Sequence, residues 1–126
     1  MDDYESAALR HFTDAKTLNL AGRLDNAGHL IGFAAECAIK HQLAKFSPPQ
    51  KVSGHFPELL LAARKRLGVR SAYSVNMYEV VKAEIFAGWL VDRRYYVTGH
   101  TSDKEMTQWL RQTQRLFACA KLKEHV

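Results

Sequence analysis

Cysteine, proline and long apolar runs are all scarce in this chain. Two cysteines, Cys37 and Cys119, cannot build the multi-bridge framework of a small secreted domain, and they fit a reducing compartment. Three prolines, two of them adjacent at Pro48-Pro49, leave most of the chain free to be helical. The longest mostly apolar stretch, Leu30–Ile39, is interrupted by Glu36 and followed by Lys40, far short of the roughly 20 apolar residues that cross a bilayer. No membrane span is expected. The acidic opening Asp2-Asp3-Tyr4-Glu5 lacks the basic-then-apolar character of a secretory or organellar address, so the expected location is cytoplasmic. There is no repeat, no low-complexity tract, and neither a Walker pattern nor Gly-x-Gly-x-x-Gly to cradle a phosphate. Cys37 and His41 have the spacing of two ligands on one helical face, but two are too few for zinc. No metal and no other cofactor is expected, and both cysteines read as small core residues.

What is present is enough apolar material, 47% of 126 residues, for one core, so residues 1–126 are expected to form a single domain. The apolar spacing is helical nearly throughout. Asp3 can cap a first helix with Tyr4, Ala8, Phe12, Ala15 and Leu18 on one side, ending near Gly22. Asp25 then opens a second helix, Asn26 to about Phe46, with the stripe Ala27, Leu30, Ile31, Ala34, Ala35, Ala38, Ile39 and Leu43. Ser47 to Gly54 is a loop. Pro57 suits the first turn of a third helix that runs to Leu67-Gly68, where glycine can take the left-handed stop. From about Ser74 a fourth helix carries Met77, Val80, Val81, Ile85 and Phe86, with Met77, Val81 and Ile85 expected in the core or at a subunit contact. Ser102 and Glu105 form a capping box for a last helix whose inward stripe is Met106, Trp109, Leu110, Thr113, Phe117 and Ala120. The predicted fold is an all-α, compact up-and-down bundle of about five helices.

The net charge of +5 is concentrated in two places, Arg64-Lys65-Arg66 with Arg70, and Arg93-Arg94 followed by Lys104, Arg111, Arg115, Lys121 and Lys123. Such a surface attracts phosphates, as nucleic acid or nucleotide, although basic residues near helix C-termini also favour the helix dipole. Within the second group, Arg94 stands six positions before His100, with Gly99 able to turn the chain back. An imidazole can move a proton on or off a ribose hydroxyl, while a guanidinium stabilises a crowded phosphoryl transition state. The alternative is that Arg93 and Arg94 pair with Asp92 or other carboxylates, the tyrosines pack, and His100 is a solvated loop residue. Tyr95 and Tyr96 are candidate base contacts. Glu36, among alanines, needs a partner; Lys40 is one turn on, and the arginine loop is the expected tertiary partner, giving Glu36 an arginine-orienting role.

Three segments, in order, resemble the HEPN domain family, the higher eukaryotes and prokaryotes nucleotide-binding domain. Arg23 to Lys40 looks like its small-residue second helix, with Glu36 followed four later by Lys40. Gly54-His55-Phe56-Pro57-Glu58-Leu59-Leu60 looks like its Gly-His turn before a leucine-rich helix, and Trp89-Leu90-Val91-Asp92-Arg93-Arg94-Tyr95 is similar to the Arg-Tyr segment before its last helix. The resemblance is to the Arg-Tyr-containing branch. It implies a helical bundle that commonly dimerises, and in many members metal-independent RNA cleavage by an Arg, four to six residues, then His, often in toxin–antitoxin pairs. Arg94 with His100 matches that spacing, as does Arg93 with His100. Carried over, His100 is the general acid–base and Arg94 the phosphate stabiliser, Arg93 orients the phosphate, and Tyr95, Lys104 and Arg111 complete a phosphate or nucleotide site, with Glu36 and Lys40 in support. The expected partners are RNA or a nucleotide, a second copy in a homodimer, and an antitoxin or nucleotidyltransferase. The alternative is a non-catalytic interaction module that binds a nucleotide or a partner nucleotidyltransferase.

Overall fold

The computed structural model describes residues 2–46, 48–68 and 75–123; Arg70 of the first basic group and Ser74, the expected start of the fourth helix, lie outside the described residues. Five α-helices follow in order, α1 Tyr4–Leu20, α2 Leu24–Ala44, α3 Glu58–Leu67, α4 Val75–Val81 and α5 Asp103–Ala120, with a 3-10 turn at Val91–Tyr95 between the last two. Among the described residues there is no strand, and no helix is long and apolar enough to cross a membrane. The architecture is a small all-α bundle.

Helix α1 starts where its cap predicts, with the Ser6 amide donating to Asp3 Oδ1 at 2.9 Å. Gly22, at φ 76°, turns the chain so that α2 runs back along α1. Helix α2 is the axle of the molecule. Its Ala27, Ile31, Ala34, Ala35, Ala38, Ile39 and Leu43 are all fully buried, with α1 and α5 packed against it. Its small residues admit the aromatic rings of later segments: the Trp89 indole lies directly over Gly32 and donates from Nε1 to Gly28 O at 2.8 Å. Helix α5 opens with the expected capping box and buries Met106, Trp109, Thr113, Phe117 and Ala120, while Leu110 stays half-buried and Leu116 goes fully inside.

Three expectations about boundaries are corrected. Asp25 does not cap α2, which starts at Leu24 after Arg23; its carboxylate is used elsewhere. Gly68 ends α3 at φ −72° rather than in the left-handed region, and glycine is needed there because a Cβ would crowd Arg64 O and the Tyr78 ring. The fourth helix stops at Val81 instead of reaching Phe86, because Phe86 takes a positive φ of 57° and Arg64 takes up the chain's free carbonyls, Nε to Val81 O at 2.6 Å and NH2 to Ala83 O at 3.1 Å. Arg64 is therefore a cap rather than part of a free basic surface. Met77 and Val81 are fully buried and Ile85 nearly so, which places all three in the core.

Candidate phosphate-binding site

The two adjacent arginines of the 3-10 turn face opposite environments. Arg93 is buried, and each guanidinium nitrogen is spent inside the protein. NH1 donates to Gly88 O at 2.9 Å and to Glu105 Oε2 at 3.0 Å; NH2 donates to Glu105 Oε1 at 3.1 Å and to His100 O at 3.0 Å; Nε donates to His100 Nδ1 at 3.2 Å. Its carbon sits 5.0 Å from the centre of the Trp109 ring, against which it packs. The fork-on-fork pairing with Glu105 is the strongest geometry open to a guanidinium and a carboxylate. Glu105 also closes the capping box of α5 by accepting from the Ser102 amide at 3.1 Å, so one carboxylate joins the turn to the helix start.

His100 is fixed from both sides. Its Nδ1 faces Arg93, which can only donate, so Nδ1 accepts and the ring proton is assigned to Nε2. That nitrogen lies 3.4 Å from Asp25 Oδ1. Asp25 in turn accepts from the Gly99 amide at 2.7 Å and the Thr101 amide at 3.0 Å, tying the loop ahead of α5 to the start of α2. The pocket that Arg93 and His100 line with Asp25, His29 and Trp89 has a volume of about 10 Å³, room for about one water and too small for a phosphate.

The expected Arg94–His100 pair is thus not what the fold assembles. Arg94 is exposed and lies over the exposed Tyr95 ring at 4.9 Å, and it is Arg93 that meets His100. A 3-10 turn sends consecutive side chains about 120° apart, and here Arg93 turns in to His100 while Arg94 turns out over Tyr95. Tyr96 and Val97 continue the exposed segment, and Lys104 and Arg111 are exposed on α5, two turns apart on one face. Glu36 does not orient the arginines. It is 2% exposed and accepts from His55 Nδ1 at 2.9 Å and from the Phe56 amide at 2.8 Å, while half-buried Lys40 acts on it only through its charge. The sequence signal for His55 was present in the Gly-His turn and in the need of a buried glutamate for donors.

Electrostatics follow the burial. Burial raises the Glu36 pKa above its ordinary 4.5, against the lowering effect of its two hydrogen bonds. The Gly99 amide leads the causes that lower Asp25 below 3.8, and the Arg93 hydrogen bond leads those that lower Glu105 below 4.5. Burial lowers His29, helped by the charges of Arg94, His55, His100 and His11. Cys37 is pushed up to about 11 by burial, so it is a neutral thiol at pH 7, and among the described residues no group of three or more metal-ligating side chains is gathered. A depressed carboxyl stabilises the fold above its unfolded pKa and loses that contribution as pH falls through the folded value. Thermal unfolding should therefore show a drop in Tm below about pH 4, and Asp25→Asn should flatten that drop while lowering Tm at pH 7. An unchanged acid limb in the variant would contradict the assignment.

No protein-family model, no curated protein and no solved structure matches this chain.

Proposed function

We propose that this is a HEPN-like protein of the cytoplasm that binds RNA or a nucleotide through its phosphates, using Arg94 stacked on Tyr95 as the contact, with Arg93 and His100 as the internal brace that presents them. The observation that carries this reading is the division of labour between the two arginines. Every Arg93 donor group is consumed by the protein, whereas the Arg94 guanidinium and the Tyr95 and Tyr96 rings are offered to solvent together. A guanidinium beside aromatic faces is suited to a phosphate next to an unstacked base. An imidazole with both nitrogens engaged is not set up to exchange a proton with a ligand, so the reading places no cutting at His100. The net charge of +5 supports the same class of ligand, or an acidic antitoxin or nucleotidyltransferase partner, and the resemblance supports a homodimer.

The test is fluorescence anisotropy with a labelled single-stranded RNA at several salt concentrations. Tyr95→Ala should weaken binding about tenfold or more, and Arg94→Ala should weaken it and reduce the salt slope by about 1. Wild-type affinity and slope in both variants would overturn the proposal.

A further inference from the structure

The Trp89 indole clamps the 3-10 turn to α2. It lies over Gly32, donates to Gly28 O at 2.8 Å, and leads through Leu90 into the turn Val91–Tyr95 that carries both arginines. His29 is built into the bed of this clamp. Its ring stacks on the indole, 5.7 Å between centres and 17° from parallel, and meets the Phe33 ring edge to face at 4.5 Å. The residue is half-buried, yet its Nδ1 is fully enclosed and has no hydrogen-bond partner, the single such side-chain atom among the described residues. A buried polar atom without a partner is rare in a folded protein and calls for a reason. A neutral imidazole can leave Nδ1 as a bare lone pair. An imidazolium cannot, because both nitrogens then carry N–H, and Nδ1–H would point into the interior with nothing to accept it.

The surroundings raise that cost. His11 from α1, His55 from the loop ahead of α3, Arg94 from the turn and His100 from the loop ahead of α5 all act on His29 as positive charges. Arg93 lines the same cavity of about 10 Å³, with its own charge met by Glu105. The carboxylate in that lining, Asp25, is taken by the Gly99 and Thr101 amides, and Glu36 is taken by His55 and the Phe56 amide. Stacking on the indole favours an imidazolium, but burial and the neighbouring charges outweigh it and hold the His29 pKa below its ordinary 6.5.

We propose that His29 is a pH switch on this clamp: taking up a proton in mildly acidic solution, it loosens the indole from α2 and with it the turn that carries Arg93 and Arg94. An open clamp lets water reach Nδ1 and solvate the charge, so protons favour the open state. Because the closed form has the lower pKa, the clamp holds fully above 6.5, where the imidazole is neutral in both forms. It weakens as the pH falls below that value, until the closed form also binds the proton. The switch acts on the turn whatever ligand the turn takes up.

The test is NMR of the full chain between about pH 7.5 and about pH 5.5, following the His29 ring signals and hydrogen exchange of the two indole N–H groups. Trp109, which donates to Ala87 O at 3.3 Å, is the internal control. His29 should titrate below 6.5. Exchange at Trp89 Nε1, corrected for the pH dependence of a free indole, should quicken several-fold over that range while Trp109 changes less. In His29→Phe and His29→Gln, which cannot take up the proton, protection of the Trp89 indole should stay level. A Trp89 indole equally protected throughout the wild-type titration overturns the switch, as does a His29 that titrates at or above 6.5. The same acid loss of protection in a folded His29→Phe overturns it too. The first two results are read on the wild-type protein and so do not depend on a variant that folds.

Discussion

Arg93→Ala will lower the thermal midpoint by roughly 10 °C, while Arg94→Ala, one residue on, will leave it within about a degree or two. Removing the Arg93 guanidinium takes the donor from Glu105 Oε2 and from the carbonyls of Gly88 and His100, leaves Glu105 Oε1 with Ser102 alone and His100 Nδ1 with the Thr101 hydroxyl, and uncovers the Trp109 face. Breaking a fully buried pair from one side costs about 3–5 kcal/mol; with Glu105 about one-third exposed, the expected cost is about 2–4 kcal/mol. Arg93→Lys should recover only part of it, because an ammonium cannot meet a carboxylate and an imidazole with one planar fork. Among the described residues Arg94 has only a solvent-exposed stack on Tyr95 to lose, and under the proposed function its loss appears in RNA binding instead. Melting curves of the three variants give the comparison. Equal midpoints for Arg93→Ala and wild type would remove the brace from the description of the site.

Gly32→Ala is expected to be more damaging than its single added methyl suggests. A Cβ at that position overlaps Cε2, Nε1 and Cζ2 of the Trp89 indole, and a fused ring in a packed interior cannot give way as the end of a flexible chain can. Trp89 would have to leave its bed on α2, losing its hydrogen bond to Gly28 O and its contacts with Phe56 and His29. The cost is comparable to truncating a buried aromatic, about 3–5 kcal/mol. Because Trp89 leads directly into the turn that holds Arg93 and Arg94, the same variant would, under the proposed function, weaken RNA binding even where the helices survive. Urea unfolding monitored by tryptophan fluorescence would measure it, and a midpoint equal to that of wild type would show that the indole can slide aside.

The helices were largely legible because each rests on local information. Asp3 with Ser6, and Ser102 with Glu105, announce helix starts through hydrogen bonds only three residues long, and the inward residues of α2 and α5 follow from their spacing. Where the reading went astray, the deciding partner was distant in the chain. Nothing near Gly68 or Val81 says that Arg64 will take the carbonyls beyond α4, and nothing near residue 25 says that its carboxylate will be claimed by amides at 99 and 101. Periodicity identifies the side of a helix that is buried without saying what lies against it. Glu36 shows the same limit: its need for donors was plain from its alanine neighbours, but the donors came from His55 and Phe56 rather than from the arginine turn. That Arg93 rather than Arg94 meets His100 turns on a 3-10 twist that residue spacing does not encode.

The Asp25 carboxylate has a consequence for where any incoming anion can settle. The Gly99 and Thr101 amides, at a glycine turn ahead of a helix, could serve a phosphate oxygen, and here the molecule meets them with an acid of its own, held at 2.7 and 3.0 Å. A visitor would have to evict this resident counter-charge before reaching those amides. The loop is in effect pre-saturated, so an anion drawn to this end of the molecule would find those amides already taken.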